Sequence, residues 1–126
     1  YFEIFFENLA DGAPRIVTEK MKWDVDYQER TGVTTRAAKD LPPGADRTIP
    51  NICKRIYRAL GQTGYARMDL RLTPDGHVYL LESNPNPQLA HAEDFADSAQ
   101  AMGITYEKLL QRIVNLGLHS RGTWSA

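Results

Sequence analysis

Two β-rich runs meet at an Asp-Gly turn near the middle of the chain, and no other feature constrains the fold as strongly. Tyr65-Ala66-Arg67-Met68-Asp69-Leu70-Arg71-Leu72 leads into Thr73-Pro74-Asp75-Gly76, and His77-Val78-Tyr79-Leu80-Leu81-Glu82-Ser83-Asn84 leads out. Asp-Gly between such runs signals a β-hairpin. Register then decides what the hairpin presents, because a slip of one residue sends every side chain to the other face. A loop with an even number of residues centred on Asp75-Gly76 sets Asp69 opposite Glu82, Arg67 opposite Asn84 and Arg71 opposite Leu80. A three-residue loop with a Gly bulge would set Asp69 against Leu81 and bury Glu82 beside Met68. Only the even register separates an apolar face (Met68, Leu70, Leu72, Tyr79, Leu81, Ser83) from a charged one, so it is the expected one. Met68, Leu70 and Leu81 are then expected to be buried behind the carboxylates.

The charged face collects two carboxylates, an amide and two guanidiniums. Like charges directly opposite on a sheet repel unless a cation sits between them. Mg²⁺ suits that position, since it takes oxygen ligands, often one or two carboxylates together with substrate phosphates. Arg67 beside them suits a phosphoryl or acyl-phosphate oxygen. The competing reading is a solvated salt-bridge face, with Arg67 and Arg71 neutralising Asp69 and Glu82. The stiff Asn84-Pro85-Asn86-Pro87 segment that follows favours a binding loop over a plain turn.

Around the hairpin, Tyr1–Phe6 reads as a strand, Ala10–Pro14 as a turn and Arg15–Lys20 as a second strand. From Met21 to Asp46 there is no clear period, and Trp23, Val25 and Tyr27 alternate only weakly. Ile49, Ile52, Cys53, Ile56, Tyr57 and Leu60 make a helical stripe, with Thr48 as cap, Pro50 in the first turn and Gly61 just past the end. Two helices close the chain, one around Glu93–Met102 and one from Tyr106 to Leu118 capped by Thr105, before a tail at 121–126.

Composition narrows the classes. Fifteen Lys+Arg against sixteen Asp+Glu give a formal charge of −1, so no basic surplus points to nucleic acid or an acidic membrane. No apolar run approaches the roughly 20 residues needed to span a bilayer. The lone cysteine, Cys53, rules out an internal disulfide framework and suits a reducing, cytoplasmic compartment. Cys53 lies on the apolar stripe and reads as a core residue, while Trp23 and Trp124 read as packing residues.

Gly64-Tyr65-Ala66-Arg67-Met68-Asp69, with Glu82 thirteen residues beyond Asp69 and then Asn84 in Leu80-Leu81-Glu82-Ser83-Asn84, resembles the metal-binding end of the ATP-grasp fold, and most of all the D-alanine–D-alanine ligase group. The helix before the hairpin and the Ala101–Leu109 segment are similar to that group as well. The resemblance implies an α+β fold, an antiparallel sheet with helices packed on one face, with residues 1–120 as the C-terminal lobe of an ATP-grasp fold. It implies ATP- and Mg²⁺-dependent carboxylate–amine ligation through an acyl phosphate, as in peptidoglycan biosynthesis. Asp69, Glu82 and Asn84 would hold one or two Mg²⁺ ions, or Mn²⁺, with Asn84 and Lys22 also on the ATP phosphates. Arg67 and Lys22 would be catalytic, with Lys20 as the rival of Lys22. Amino acids would be the small-molecule substrates, and a homodimer is implied.

Two departures stand out. D-alanine–D-alanine ligases usually continue after Glu-x-Asn with a Ser-Pro-Gly-Met-Thr type loop, whereas this chain reads Asn86-Pro87-Gln88-Leu89-Ala90-His91. Asn86, Gln88 and His91 are therefore the candidate substrate-loop residues, and a different amino acid or peptide substrate is an alternative. In addition, the Gly-rich phosphate loop, the nucleotide hinge and the N-terminal substrate domain of such an enzyme find no match in this chain. The expectation is a C-terminal piece of a longer protein, with little or no ligase activity in isolation. A non-catalytic α+β module that binds a cation or a partner is the reading from a different class.

Overall fold

The computed structural model describes residues 1–119, so the tail at 121–126, with Trp124, lies outside the described residues. Among the described residues nine elements follow in the order β1 (Phe2–Phe6), α1 (Glu19–Trp23), α2 (Val25–Thr31), β2 (Val33–Ala37), α3 (Ala45–Ala59), β3 (Arg67–Leu72), β4 (Val78–Asn84), α4 (Asp94–Ala101) and α5 (Tyr106–His119). The class is α+β with antiparallel pairing, delivered as two separate two-stranded sheets, β1–β2 and β3–β4. The chain divides into two compact units, Tyr1–Ala38 and the remainder from Lys39. No described helix is long and apolar enough to cross a membrane.

In the first unit β1 pairs with β2 from Phe2↔Ala37 to Phe6↔Val33. The second strand is thus not Arg15–Lys20, as the β-branched Ile16-Val17 pair suggests. Thr18 instead caps α1, its hydroxyl accepting the Met21 N–H at 3.3 Å, with Glu19 in the first turn. The stretch after Met21 holds α1, α2 and β2. Its elements are short, and β2 is exposed beyond its first residue, so neither burial period has room to show. Asp24 ends α1 and starts α2, its carboxylate accepting the Tyr27 N–H at 2.9 Å. Gly32 ends α2 at φ +60°, where a Cβ would come within 2.9 Å of the Asn8 side chain, so this tight turn needs glycine.

In the second unit α3 begins at Ala45 behind Gly44, not at a Thr48 cap. Pro50 consequently sits inside the helix, at the cost of one backbone hydrogen bond, while Ala45 and Ile49 are buried. The apolar stripe locates the helix but not its first turn, because Gly44 caps through its backbone and offers no side-chain signal. Burial pushes the Cys53 thiol pKa up, which suits a core residue and opposes a thiolate nucleophile. At the C-terminal end Ala96, Ala99 and Leu109 form a buried cluster, covered by Phe95, Ile104, Tyr106 and Ile113. Thr105 caps α5, its hydroxyl accepting the Lys108 N–H at 3.4 Å.

The β3–β4 hairpin contains both of the registers weighed from sequence. Near its open end Arg67 faces Asn84, Met68 faces Ser83 and Asp69 faces Glu82. Beyond a shift between Asp69 and Leu70, Leu70 faces Leu80, Arg71 faces Tyr79 and Leu72 faces Val78. Arg71 is therefore not opposite Leu80. The turn explains the shift. Thr73 and His77 exchange hydrogen bonds, the Thr73 N–H reaching the His77 carbonyl at 2.9 Å, which leaves a three-residue Pro74-Asp75-Gly76 loop. Gly76 adopts φ +86°, a conformation such a loop requires and only glycine adopts cheaply. Leu81 is the extra residue that restores the pairing of the two carboxylates. It is 69% exposed, and Met68 and Leu70 are only half-buried, which corrects the expectation that all three lie buried behind the carboxylates.

Candidate functional site

On β3 the period of two places Arg67, Asp69 and Arg71 on one face, and the bulge brings Glu82 and Asn84 of β4 onto that same face. Arg67 grips Asp69 with two hydrogen bonds, Nε to Oδ1 at 2.8 Å and Nη2 to Oδ2 at 3.1 Å. The Asp69 hydrogen bond is the main cause that raises the Arg67 pKa further above its ordinary value, with the charges of Asp69, Glu82 and Asp94 adding to it. The pair is half-exposed, at 38% and 42%, so water screens much of its strength. Asp94 is the first residue of α4, and its influence on Arg67 brings that helix into the electrostatics of the site.

Asn84 ends β4 with its side chain turned back on the loop, Oδ1 accepting the Asn86 N–H at 2.9 Å. That bond fixes the amide oxygen and leaves it a second lone pair. Among the described residues no three His, Cys, Asp or Glu side chains converge as a metal cage. The donor set here is two opposed carboxylates and one amide oxygen. It fits a Mg²⁺ ion that keeps several waters or takes phosphate oxygens, and not a metal that needs nitrogen or sulfur. A carboxylate that accepts a bidentate Arg retains further lone pairs, so the grip of Arg67 on Asp69 does not exclude an ion.

The remaining sequence candidates lie in different surroundings. Asn86 accepts a hydrogen bond at Oδ1 from the Tyr65 hydroxyl at 3.3 Å. Gln88 donates from Nε2 to Glu93 Oε1 at 3.3 Å. The His91 ring meets Tyr106 edge-on at 5.2 Å, which ties it to the start of α5. Lys22 lies on α1 of the first unit, and its side chain is outside what the structure describes. The Lys20 ammonium sits 4.7 Å from the centre of the Tyr27 ring. His77 is exposed at the turn and pairs with Asp75 at 2.7 Å.

Sequence reasoning missed Tyr65, Gln62 and Asp94. Tyr65 also packs its ring against Phe95 of α4 at 5.7 Å. Gln62 accepts the Ser83 hydroxyl at 3.1 Å. Both bonds span 21 residues, and nothing in a local pattern announces them.

Comparison with known proteins places this chain in a family. Residues 9–115 match the family model described as the D-ala D-ala ligase C-terminus. The chain is 32% identical over 114 residues to a D-alanine–D-alanine ligase of Cupriavidus necator, covering 87% of this chain and 35% of that protein. It is 32% identical over 111 residues to D-alanine–D-alanine ligase A of Chromobacterium violaceum, covering 86% and 30% respectively. Against the D-alanine–D-alanine ligase of Gloeobacter violaceus it is 41% identical over 93 residues, covering 64% and 31%. The chain spans about a third of the length of these curated relatives. It belongs to the D-ala D-ala ligase C-terminal family.

Proposed function

We propose, from that membership and from the charged hairpin face, that the chain carries the metal- and phosphate-binding part of an ATP-dependent carboxylate–amine ligase of the D-alanine–D-alanine ligase type. The observation that carries this reading is Asp69 opposite Glu82, with Arg67 and Asn84 on the same face. Asp69, Glu82 and the Asn84 amide oxygen would hold one or two Mg²⁺ ions, which would supply charge neutralisation for phosphate oxygens. Mn²⁺ has compatible oxygen chemistry. Arg67 would stabilise charge on the transferring phosphoryl group and on the tetrahedral centre formed when the amine attacks, its planar fork suiting two oxygens at once. Lys22 would add a second cation on the phosphates. The reaction class is amide-bond formation through an acyl phosphate, and the protein's share is positioning and charge neutralisation. The substrates are amino acids, the compartment is the cytoplasm and the working form is a homodimer.

The loop after Asn84 favours a second reading within the same chemistry. Gln88 stands where the family has glycine, and on this second reading the loop would accept an amino acid or peptide other than D-alanine. Phosphate release by a protein carrying this sequence, with D-alanine alone and then with other amino acids, separates the two readings.

Calorimetric titration of Mg²⁺–ADP into the wild-type chain and into Asp69→Asn tests the proposal. The variant is expected to lose more than the roughly 10- to 100-fold that outer-shell changes cost a metal site. Equal binding by both chains, or no binding of metal–nucleotide through Asp69 and Glu82 by either this chain or a full-length version, overturns the ligase reading and leaves a charged face that binds only cations or a partner.

A further inference from the structure

Asn84 is flanked on both sides by side-chain hydrogen bonds that come from one short segment. The Ser83 hydroxyl donates to Gln62 Oε1 at 3.1 Å, and the Tyr65 hydroxyl donates to Asn86 Oδ1 at 3.3 Å. Gln62 and Tyr65 both belong to the connection between α3 and β3, and that connection is itself anchored at its base. The Tyr57 hydroxyl of α3 donates to the Gly64 carbonyl at 3.0 Å, and the Gln62 N–H reaches the Tyr57 carbonyl at 3.0 Å. On its other side Tyr65 rests against Phe95 of α4. Asn86 in turn passes the constraint on, since its N–H holds Asn84 Oδ1 at 2.9 Å.

We infer that Gln62 and Tyr65 are positioning residues, which bracket the end of β4 and fix the Asn84 amide oxygen, held by the Asn86 N–H, as the third donor beside Asp69 and Glu82. The inference rests on the metal-binding reading above and goes beyond it by naming what sets the geometry of the third ligand. The physical need is plain. β4 ends at Asn84, so a ligand on its last residue has no further ladder to hold it. Residues that orient ligands from behind tune metal affinity without touching the ion. Tyr65 is suited to this, because ring packing limits its freedom while its hydroxyl reaches the loop.

Mn²⁺ serves as the probe, titrated into the chain with nuclear magnetic resonance detection of line broadening and of the Asn84 and Asn86 amide signals. Tyr65→Phe is expected to weaken Mn²⁺ about 3- to 10-fold, the net worth of one hydrogen bond, because Tyr65 acts on the ligand only through Asn86. It should also speed exchange of the Asn86 backbone N–H with solvent. Gln62→Met should weaken Mn²⁺ by a similar factor, and Thr73→Val, at the far turn of the same hairpin, should not change it. A general loss of hairpin stability would move all three variants alike, so the split between them reads positioning. Affinity within twofold of wild type in both Tyr65→Phe and Gln62→Met, while Asp69→Asn abolishes binding, overturns the inference and leaves the functional reading standing. A wild-type chain that does not bind Mn²⁺ at Asp69 overturns the functional reading and this inference with it.

Discussion

The two halves of the β3–β4 hairpin share the same strands and obey different rules. In the turn half, pairing follows the three-residue loop, and the hydrogen bonds that set it are local, between Thr73, Asp75, Gly76 and His77. In the site half, pairing sets Asp69 against Glu82, and its side-chain bonds reach residues 21 positions away. Leu81 absorbs the mismatch between them. A turn chosen for backbone economy and a site chosen for charge arrangement thus coexist because one residue is left out of the ladder.

Substitutions aimed at one half should spare the other. The largest expected effect on stability is in the turn. Gly76→Ala forces a side chain into φ +86°, and with open space around it the strain is purely conformational, about 1–2 kcal/mol. Chemical denaturation should show that loss, while Mn²⁺ affinity stays within twofold of wild type. A parallel loss of affinity would mean that the two halves are one unit.

Arg67→Ala acts on the other half. It removes a half-exposed pair and leaves two carboxylates face to face, and the expected cost is below about 1 kcal/mol. Added salt should shrink the difference between variant and wild type. A loss that persists at high salt would show that packing of the Arg67 stem, not charge, is what counts.

Leu81→Ala examines the joint between the halves. An exposed side chain predicts a change within about 0.5 kcal/mol. The buried position expected from a regular ladder would cost about 2–5 kcal/mol, so denaturation midpoints decide between the two. The smallest effect concerns pH. The Asp75 carboxyl is held below its ordinary range first by the Thr73 hydroxyl and then by His77. A depressed folded-state pKa gives stability that is present above the unfolded value and lost as pH falls through the folded one. A carbon-detected titration of Asp75 should therefore have its midpoint below that of a model peptide, and Thr73→Val should move it back up.

Much of the architecture could be read along the chain because it depends on local chemistry. Asp75-Gly76 announces the hairpin, the stripe from Ile49 to Leu60 announces α3, and Thr105 before Tyr106 announces α5. The opposition of Asp69 and Glu82 was also accessible, since alternation sorts charged from apolar positions whenever one face is wet. The same rule failed at Leu81, because alternation assumes an unbroken ladder. It failed again between Met21 and Asp46, where short elements with little burial leave no period to detect.

What the amino-acid order settles here is where the hairpin and the helical stripe form and which residues of β3 alternate onto its charged face. These follow from turn chemistry and from periods of two and 3.6, which are properties of neighbours in the chain. The tertiary structure alone decided the bulge, the early start of α3 and the bracket of Gln62 and Tyr65 around Asn84. The two bonds of that bracket join residues 21 positions apart, beyond the reach of any local pattern.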